Sequence, residues 1–246
     1  ALQPLRDWEQ QAFGALQVVF AQRRSAGRVR ECHGDLHLGN VTQLDDRPVL
    51  FDCLEFSAAL RWGDVMNDLA FITMDLHAHG LPQLAHRWVN GHLERSADDA
   101  GLRGLRYHQV HRALVRAKVA ALRQAQRLAQ GNGQAEAHCA WRRYLDVALD
   151  CTRQRPPVLM LTHGFSGSGK TTLTQDLLER CGAVRLRADV ERKRLFGMAP
   201  LARSDAAMKL RLYSDEANRA TQARLHERAT VVLQSGYSVI LDATFL

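Results

Sequence analysis

Eight residues constrain this chain more than any others: Gly164-Phe-Ser-Gly-Ser-Gly169-Lys170-Thr171. They have the form G-x-x-x-x-G-K-[ST], a loop that wraps its backbone around phosphate. The residue types follow from that task. Glycines let the backbone turn tightly, so that successive N–H groups point into one concavity and surround the phosphate oxygens. Gly164, Ser166, Gly167, Ser168 and Gly169 are the candidate cradle. Lys170 adds a point charge near the β- and γ-phosphates, and the Thr171 hydroxyl can ligate Mg²⁺. Pro157-Val-Leu-Met-Leu-Thr162 reads as a buried strand before the loop. Residues 172–180 read as a helix after it, whose N-terminal dipole adds to the site. The alternative, an ordinary Gly/Ser loop, does not account for this strand–loop–helix context.

The chain has 246 residues, room for two domains of ordinary size. It has no apolar run of membrane-spanning length and no signal peptide, so a cytoplasmic protein without a membrane partner is expected. Five cysteines (Cys32, Cys53, Cys139, Cys151, Cys181) are odd in number, widely spaced and without a C-x-x-C pair, which reads as reduced thiols. The net charge of +7 is uneven: residues 1–152 carry 18 Lys+Arg against 17 Asp+Glu, and residues 153–246 carry 15 against 9. The basic excess suits ATP and an anionic second substrate, nucleic acid included. An arginine-rich background accounts for it equally, since 29 arginines stand beside four lysines.

In chain order, residues 4–24 have helical apolar spacing (Leu5, Trp8, Ala12, Leu16, Val19), Gly27 stops them, and Val29–His33 is a strand-like lead-in. His33-Gly-Asp35-Leu-His37-Leu-Gly-Asn40 follows, then a turn at Asp45-Asp46-Arg47 and the apolar strand Pro48–Asp52. Asp35 and Asn40 have the H-x-D-x-x-x-x-N spacing of a kinase catalytic loop. In such a loop one carboxylate (Asp35) accepts a hydroxyl proton, while Asn40 and Asp52 hold the metal that bridges the phosphates. A metal site of His33, Asp35 and His37 is a second reading, which leaves Asn40 and Asp52 unexplained; a structural acidic hairpin is a third. His37 reads as a loop hydrogen-bonding residue.

The segments HGDLHLGN and LFDCLEF together resemble the catalytic loop and metal-binding strand of aminoglycoside phosphotransferase-like kinases, over roughly residues 28–150. The resemblance implies Asp35 as catalytic base, Asn40 and Asp52 as metal ligands, and Asp68 as the aspartate of a D-L-A segment. Such kinases carry an N-terminal lobe with a glycine-rich loop and a strand lysine. Neither precedes His33 here, so the chain reads as beginning inside such a kinase. Asp64 is placed to cap a helix running to about His79 and stopped by Gly80, and helices are expected over 81–96, 104–129 and 134–152, with a loop at Gly131-Asn-Gly133. In the second of these, Tyr107, Val110, Leu114, Ala117 and Ala121 form an apolar stripe, and Arg112, Arg116, Arg123 and Arg127 read as a solvated basic face.

Pro156-Pro157 marks a domain boundary, giving 1–152 and 153–246. Residues 182–187 read as a second strand. Asp189 stands just past its carboxyl end, where open α/β sheets bind ligands, and Arg192 follows one helical turn on. This D-x-x-R arrangement resembles P-loop small-molecule, polynucleotide and zeta-toxin-like kinases. The resemblance implies Asp189 and Arg192 at the phosphoryl acceptor. Residues 205–234 read as one helix. Tyr237–Asp242 reads as a buried strand ending in the carboxylate that would hold Mg²⁺. Three strands would leave an apolar sheet edge open.

The expected architecture is an α+β kinase-like helical lobe followed by an α/β P-loop domain with a parallel sheet, both incomplete. This order resembles bacterial bifunctional aminoglycoside phosphotransferase-like/ATP-binding proteins, as a central piece. The implied chemistry is transfer of the ATP γ-phosphoryl group to a hydroxyl of a small molecule. A nucleotide-dependent switch with a pseudokinase lobe and a polynucleotide 5′-hydroxyl kinase are the alternatives.

Overall fold

The computed structural model describes residues 2–130, 140–153, 155–165, 167–200, 202 and 205–245. Ser166, the expected loop at Gly131–Gly133 and the first six residues of the helix expected from 134, Cys139 among them, lie outside the described residues. In chain order the elements are α1 (Gln3–Ser25), β1 (Val29–Glu31), β2 (Val41–Leu44), β3 (Arg47–Leu50), α2 (Ala58–Arg61), β4 (Trp62–Asp64), α3 (Val65–Ala78), α4 (Pro82–Ser96), α5 (Leu102–Ala129) and α6 (Ala140–Thr152). There follow β5 (Leu159–Leu161), α7 (Lys170–Cys181), β6 (Val184–Arg187), α8 (Ala188–Leu195), α9 (Ala206–Leu212), α10 (Asp215–Gln234) and β7 (Val239–Asp242). They form two compact units, Ala1–Ala85 with Arg103–Gln154, and His86–Leu102 with Arg155–Leu246.

The first unit is helical around α3. This helix is apolar almost all round, and nine of its 14 residues are buried. Leu5, Phe71, Met74, Val110, Ala113, Ala117, Tyr144 and Ala148 form its main core, from α1, α3, α5 and α6. Each large apolar side chain buried there contributes about 1.5–3 kcal/mol. Val110 and Ala117 from the expected stripe are in that core and Leu114 packs against it. The basic face of α5 needs correction. Arg123 and Arg127 are exposed, but Arg112 donates to Asn67 Oδ1 (2.9 Å) and to the Gly34 carbonyl (3.0 Å) and lies over the Phe71 ring. Arg116 stacks on Tyr144. A guanidinium is weakly hydrated and flat, so it can be half-buried where an aromatic ring and carbonyls receive it.

Asp64 caps α3 by accepting from the Met66 N–H, and it also takes a two-pronged ion pair from Arg23 of α1 (2.6 and 2.7 Å). Burial works to raise the Asp64 pKa, but the hydrogen bonds from Arg23 and Met66 hold it below the usual carboxylate range. The same aspartate ends β4, whose antiparallel pairing with β1 (Val29 opposite Asp64) had no signal in the sequence.

Beside this pair sits His108, pushed down to about 4 by burial, with His111, Arg112 and Arg23 adding to the shift and Asp64 opposing it. The unfolded chain protonates this histidine near its ordinary value of about 6.5 while the folded chain holds it neutral to about 4. Between those values the unfolded state binds more protons, so stability falls as the pH drops, by at most about 3 kcal/mol. His108→Phe is expected to flatten the stability–pH curve in that window. An unchanged slope in urea unfolding from pH 6.5 to 4 would show that other groups cause it.

In the second unit, β5, β7 and β6 form a parallel sheet in that order, with Leu161 opposite Leu241 and Arg187 opposite Asp242. Leu178, Ala183 and Ile240 pack its core. The expected single helix over 205–234 is two, because Ser214 caps α10 by accepting from the Ala217 N–H. Residues 86–102 cluster here and not with the domain in which the chain order put them. The reason is polar. The Asn90 side chain donates to the Ala183 carbonyl (3.0 Å) and accepts from the Arg185 N–H (2.7 Å), taking the place of a neighbouring strand along β6. One sheet edge is thereby covered. On the other, Val158, Leu159 and Leu161 are exposed.

Candidate functional site

β5 delivers the chain into the glycine loop, and α7 takes it away. Gly164, Gly167 and Gly169 have φ of 134°, 81° and 83°, values that side chains disfavour, and Gly169 is the N-cap of α7. Lys170 is the first residue of α7. Its Nζ donates to the Gly164 carbonyl (2.8 Å) and to that of Phe165, so the ammonium lies across its own loop. The Thr171 hydroxyl donates to Asp242 Oδ2 (2.9 Å) at the end of β7. The Thr174 hydroxyl, one turn on, lies 3.4 Å from the same oxygen and 3.1 Å from the Thr171 carbonyl. Asp242 and Thr174 are buried. Thr162 ties the ends of β5 and β7 together, its hydroxyl donating to the Ala243 carbonyl (2.7 Å). Five expected residues therefore meet at the carboxyl end of the sheet: Gly164, Gly169, Lys170, Thr171 and Asp242. A buried carboxylate beside a hydroxyl is a hard oxygen donor set that suits Mg²⁺, and the helix start with its lysine suits phosphate.

Asp189 and Arg192 lie on α8, which begins directly after Arg187, the register partner of Asp242. They engage different neighbours. Asp189 pairs with Lys193 (2.8 Å), whereas Arg192 donates to Asn218 Oδ1 (3.1 Å) and lies over the Tyr213 ring. Among the described residues no hydrogen bond joins Asp189 to Arg192. Between them in the chain, Glu191 is buried and pairs with Arg194, Arg224 and Arg228, which fixes α8 against α10.

In the first unit the acidic loop closes on itself. The Asn40 side-chain nitrogen donates to the Asp35 carbonyl (3.0 Å) and stands 3.4 Å from its carboxylate. Asn40 is buried and Asp35 half-exposed. The β2–β3 hairpin returns Asp52 to this place: the Phe51 N–H donates to the Asn40 carbonyl (3.1 Å), and the Phe51 carbonyl meets the His33 ring (2.9 Å). Asp52 itself is exposed and has φ of 61°, a left-handed turn that swings the chain away after the strand. His37 Nδ1 accepts from the Gly39 N–H (3.0 Å), the loop role expected of it. Burial and the nearby Arg116 hold its pKa below the ordinary value, which keeps that nitrogen free to accept. Among the described residues no three His, Cys, Asp or Glu side chains converge as a metal cluster, so a site of His33, Asp35 and His37 is not formed.

Two aspartates of α3 hold this loop. Asp68 accepts from the backbone of His33 (2.6 Å) and Gly34 (3.0 Å), and Asp75 from that of Leu38 (2.9 Å) and the Tyr144 hydroxyl (2.9 Å). Sequence reasoning missed Asp75. Its signal was the seven-residue spacing from Asp68, two helical turns, which sets both on one face. Thr174, three residues after Thr171, had the same kind of signal; Arg112, Arg185 and Asn90 had none.

Residues 159–246 match the family model described as an AAA domain, which supports a P-loop nucleotide-binding domain over this part of the chain. Proteins of Mycobacterium tuberculosis (strains H37Rv and CDC 1551) and of Mycobacterium bovis, each described as uncharacterized, are 33% identical to the chain over 229 residues. The match takes in 93% of this chain and 45% of each relative, so the chain spans about half the length of the curated relatives it matches. No solved structure matches. Among the described residues no helix is long and apolar enough to cross a membrane.

Proposed function

We propose that the chain is part of an ATP-dependent phosphotransferase whose second unit moves the γ-phosphoryl group of ATP to a hydroxyl of a small molecule. The observation that carries this reading is the Thr171 hydroxyl on Asp242 Oδ2 (2.9 Å), one residue after Lys170 at the start of α7. In this reading the loop N–H groups and Lys170 neutralise and orient the phosphates. Thr171 and Asp242 hold Mg²⁺, which when bound spreads the charge of the transferring group. Asp189 takes the proton of the acceptor hydroxyl, oriented by Lys193, and Arg192 steadies the acceptor. Thr174 steadies the Asp242 carboxylate, Arg185 holds Thr174, and Thr162 fixes the backbone on either side of Asp242, so that Asp242 keeps one orientation, a condition for electrostatic stabilisation of a transition state.

The first unit supports a second phosphotransfer-like site of the aminoglycoside phosphotransferase kind. Asp35 is its base, and Asn40 and Asp52 are its cation ligands. The contact of Asn40 with Asp35 and the return of Asp52 through Phe51 favour it. Mg²⁺-ATP calorimetry separates the possibilities. Wild-type protein, Lys170→Ala and the Asp35→Asn/Asp52→Asn pair are compared. Loss of nucleotide binding in Lys170→Ala alone is the expected result, with the second unit as the working engine. Two sites, each lost with its own variant, would make both units nucleotide-dependent. Full binding in Lys170→Ala would overturn the assignment of the second unit.

A further inference from the structure

α4 does more than cover a sheet edge. His86, Asn90 and Glu94, spaced by one turn, hold this part of the helix within the second unit through the Glu179 carbonyl, the backbone of Ala183 and Arg185, and the Arg187 side chain. The neighbouring stripe on the same helix is Arg87, Gly91 and Arg95. Together with Trp88, and with Gln175 of α7 and Arg185 of β6, it lines a cavity of about 840 Å³. That is the size of a small-molecule site. The glycine matters, because between two arginines at one-turn spacing it leaves the floor open, and a Cβ built there meets nothing within 4 Å.

The charges are unbalanced. Arg87 lies 3.7 Å from Glu179, and Glu94 is turned to Arg187. Arg95 makes no ion pair among the described residues. Arg185 donates to the Thr171 carbonyl (3.0 Å), the Thr174 hydroxyl (3.2 Å) and Gln175 Oε1 (2.8 Å), and its buried Nε has no partner among the described residues. Fork-shaped guanidinium groups lining one cavity beside an exposed indole suit a small anion with a flat or apolar body. Arg185 also touches the first turn of the phosphate-loop helix.

We propose that this cavity is a second ligand site, distinct from the glycine loop. It takes a small phosphate monoester on Arg87, Arg95 and Arg185 with the ester's body against Trp88, and its occupancy is felt at Thr171 through Arg185.

Phenyl phosphate is the probe, followed by tryptophan fluorescence on the whole chain, with Trp88→Phe identifying the reporter and benzoate replacing the ester in a parallel titration. Saturable binding is expected, about tenfold or more weaker in Arg95→Ala, the weight of one charge-assisted hydrogen bond. It is expected to be lost in Gly91→Phe, and kept in Lys170→Ala. Gly91→Phe fills open space on a helix, so its melting temperature should match wild type, and Gly91→Ala serves as the smaller control. Loss in Lys170→Ala would place the ester in the glycine loop and overturn the proposal. Undiminished binding in Gly91→Phe would overturn it too, and so would equal binding of benzoate, as far as the phosphate class is concerned. ATP affinity that shifts when phenyl phosphate is added to wild type, and not to Gly91→Phe, would carry the coupling through Arg185; no shift would overturn that coupling.

Discussion

Asp99→Ala is expected to destabilise the second unit by about 3–5 kcal/mol, the cost of leaving a buried charge without its partner. Asp99 takes both prongs of Arg228 of α10, one at 2.7 Å, and both side chains are less than 10% exposed. Burial alone would lower the Arg228 pKa; Asp99 and Glu191 hold it above the usual arginine value. Glu191 cannot take over, because it already receives Arg194 and Arg224. Without Asp99, three guanidinium groups share the one buried carboxylate of Glu191. The second-unit transition in thermal unfolding should fall by at least about 10 °C for a unit of this size. Asp99→Leu/Arg228→Met is expected to recover most of the loss, since a buried ion pair replaced on both sides by apolar groups is often neutral. A loss below about 1 kcal/mol in Asp99→Ala would mean that water reaches the pair and that it does not anchor residues 86–102.

Asp242→Asn is expected to lower phosphoryl transfer by about a thousandfold, about 4 kcal/mol of transition-state stabilisation, while nucleotide binding without metal stays near wild type. The substitution keeps an oxygen in place to accept from Thr171 and removes only the charge. Folding should hardly suffer, since the two threonine hydroxyls still find an acceptor. The effect should therefore appear in the Mg²⁺ dependence of turnover. An Asp242→Asn protein that kept wild-type turnover and wild-type Mg²⁺ dependence would remove Asp242 from the metal site and leave the proposed reaction without its central observation.

Much of the second unit was legible in the chain because its signals are local. The glycines at 164, 167 and 169, the lysine after them and the apolar runs before and after fall within one strand–loop–helix stretch, so backbone sterics and periodicity reveal them. Asp242 was legible as the last residue of a buried strand. Arg112 was not. Apolar spacing put it off the α5 stripe, and only the arrival of Phe71 and Gly34 from elsewhere gives it a place inside. Asp35, Asn40 and Asp52 were legible as a spacing, whereas the aspartates that hold their loop come from a helix that the spacing says nothing about.

The sequence by itself determined the phosphate loop, the strand and helix around it, the hairpin and the order of helical and α/β parts. Each rests on interactions between residues a few positions apart. Tertiary structure alone decided that residues 86–102 leave the helical unit for the α/β one, that Asn90 stands in for a missing strand and that Asp99 finds Arg228 129 positions away. Those contacts depend on desolvating polar groups that must then find partners wherever the chain brings them. No local pattern encodes which partner that will be.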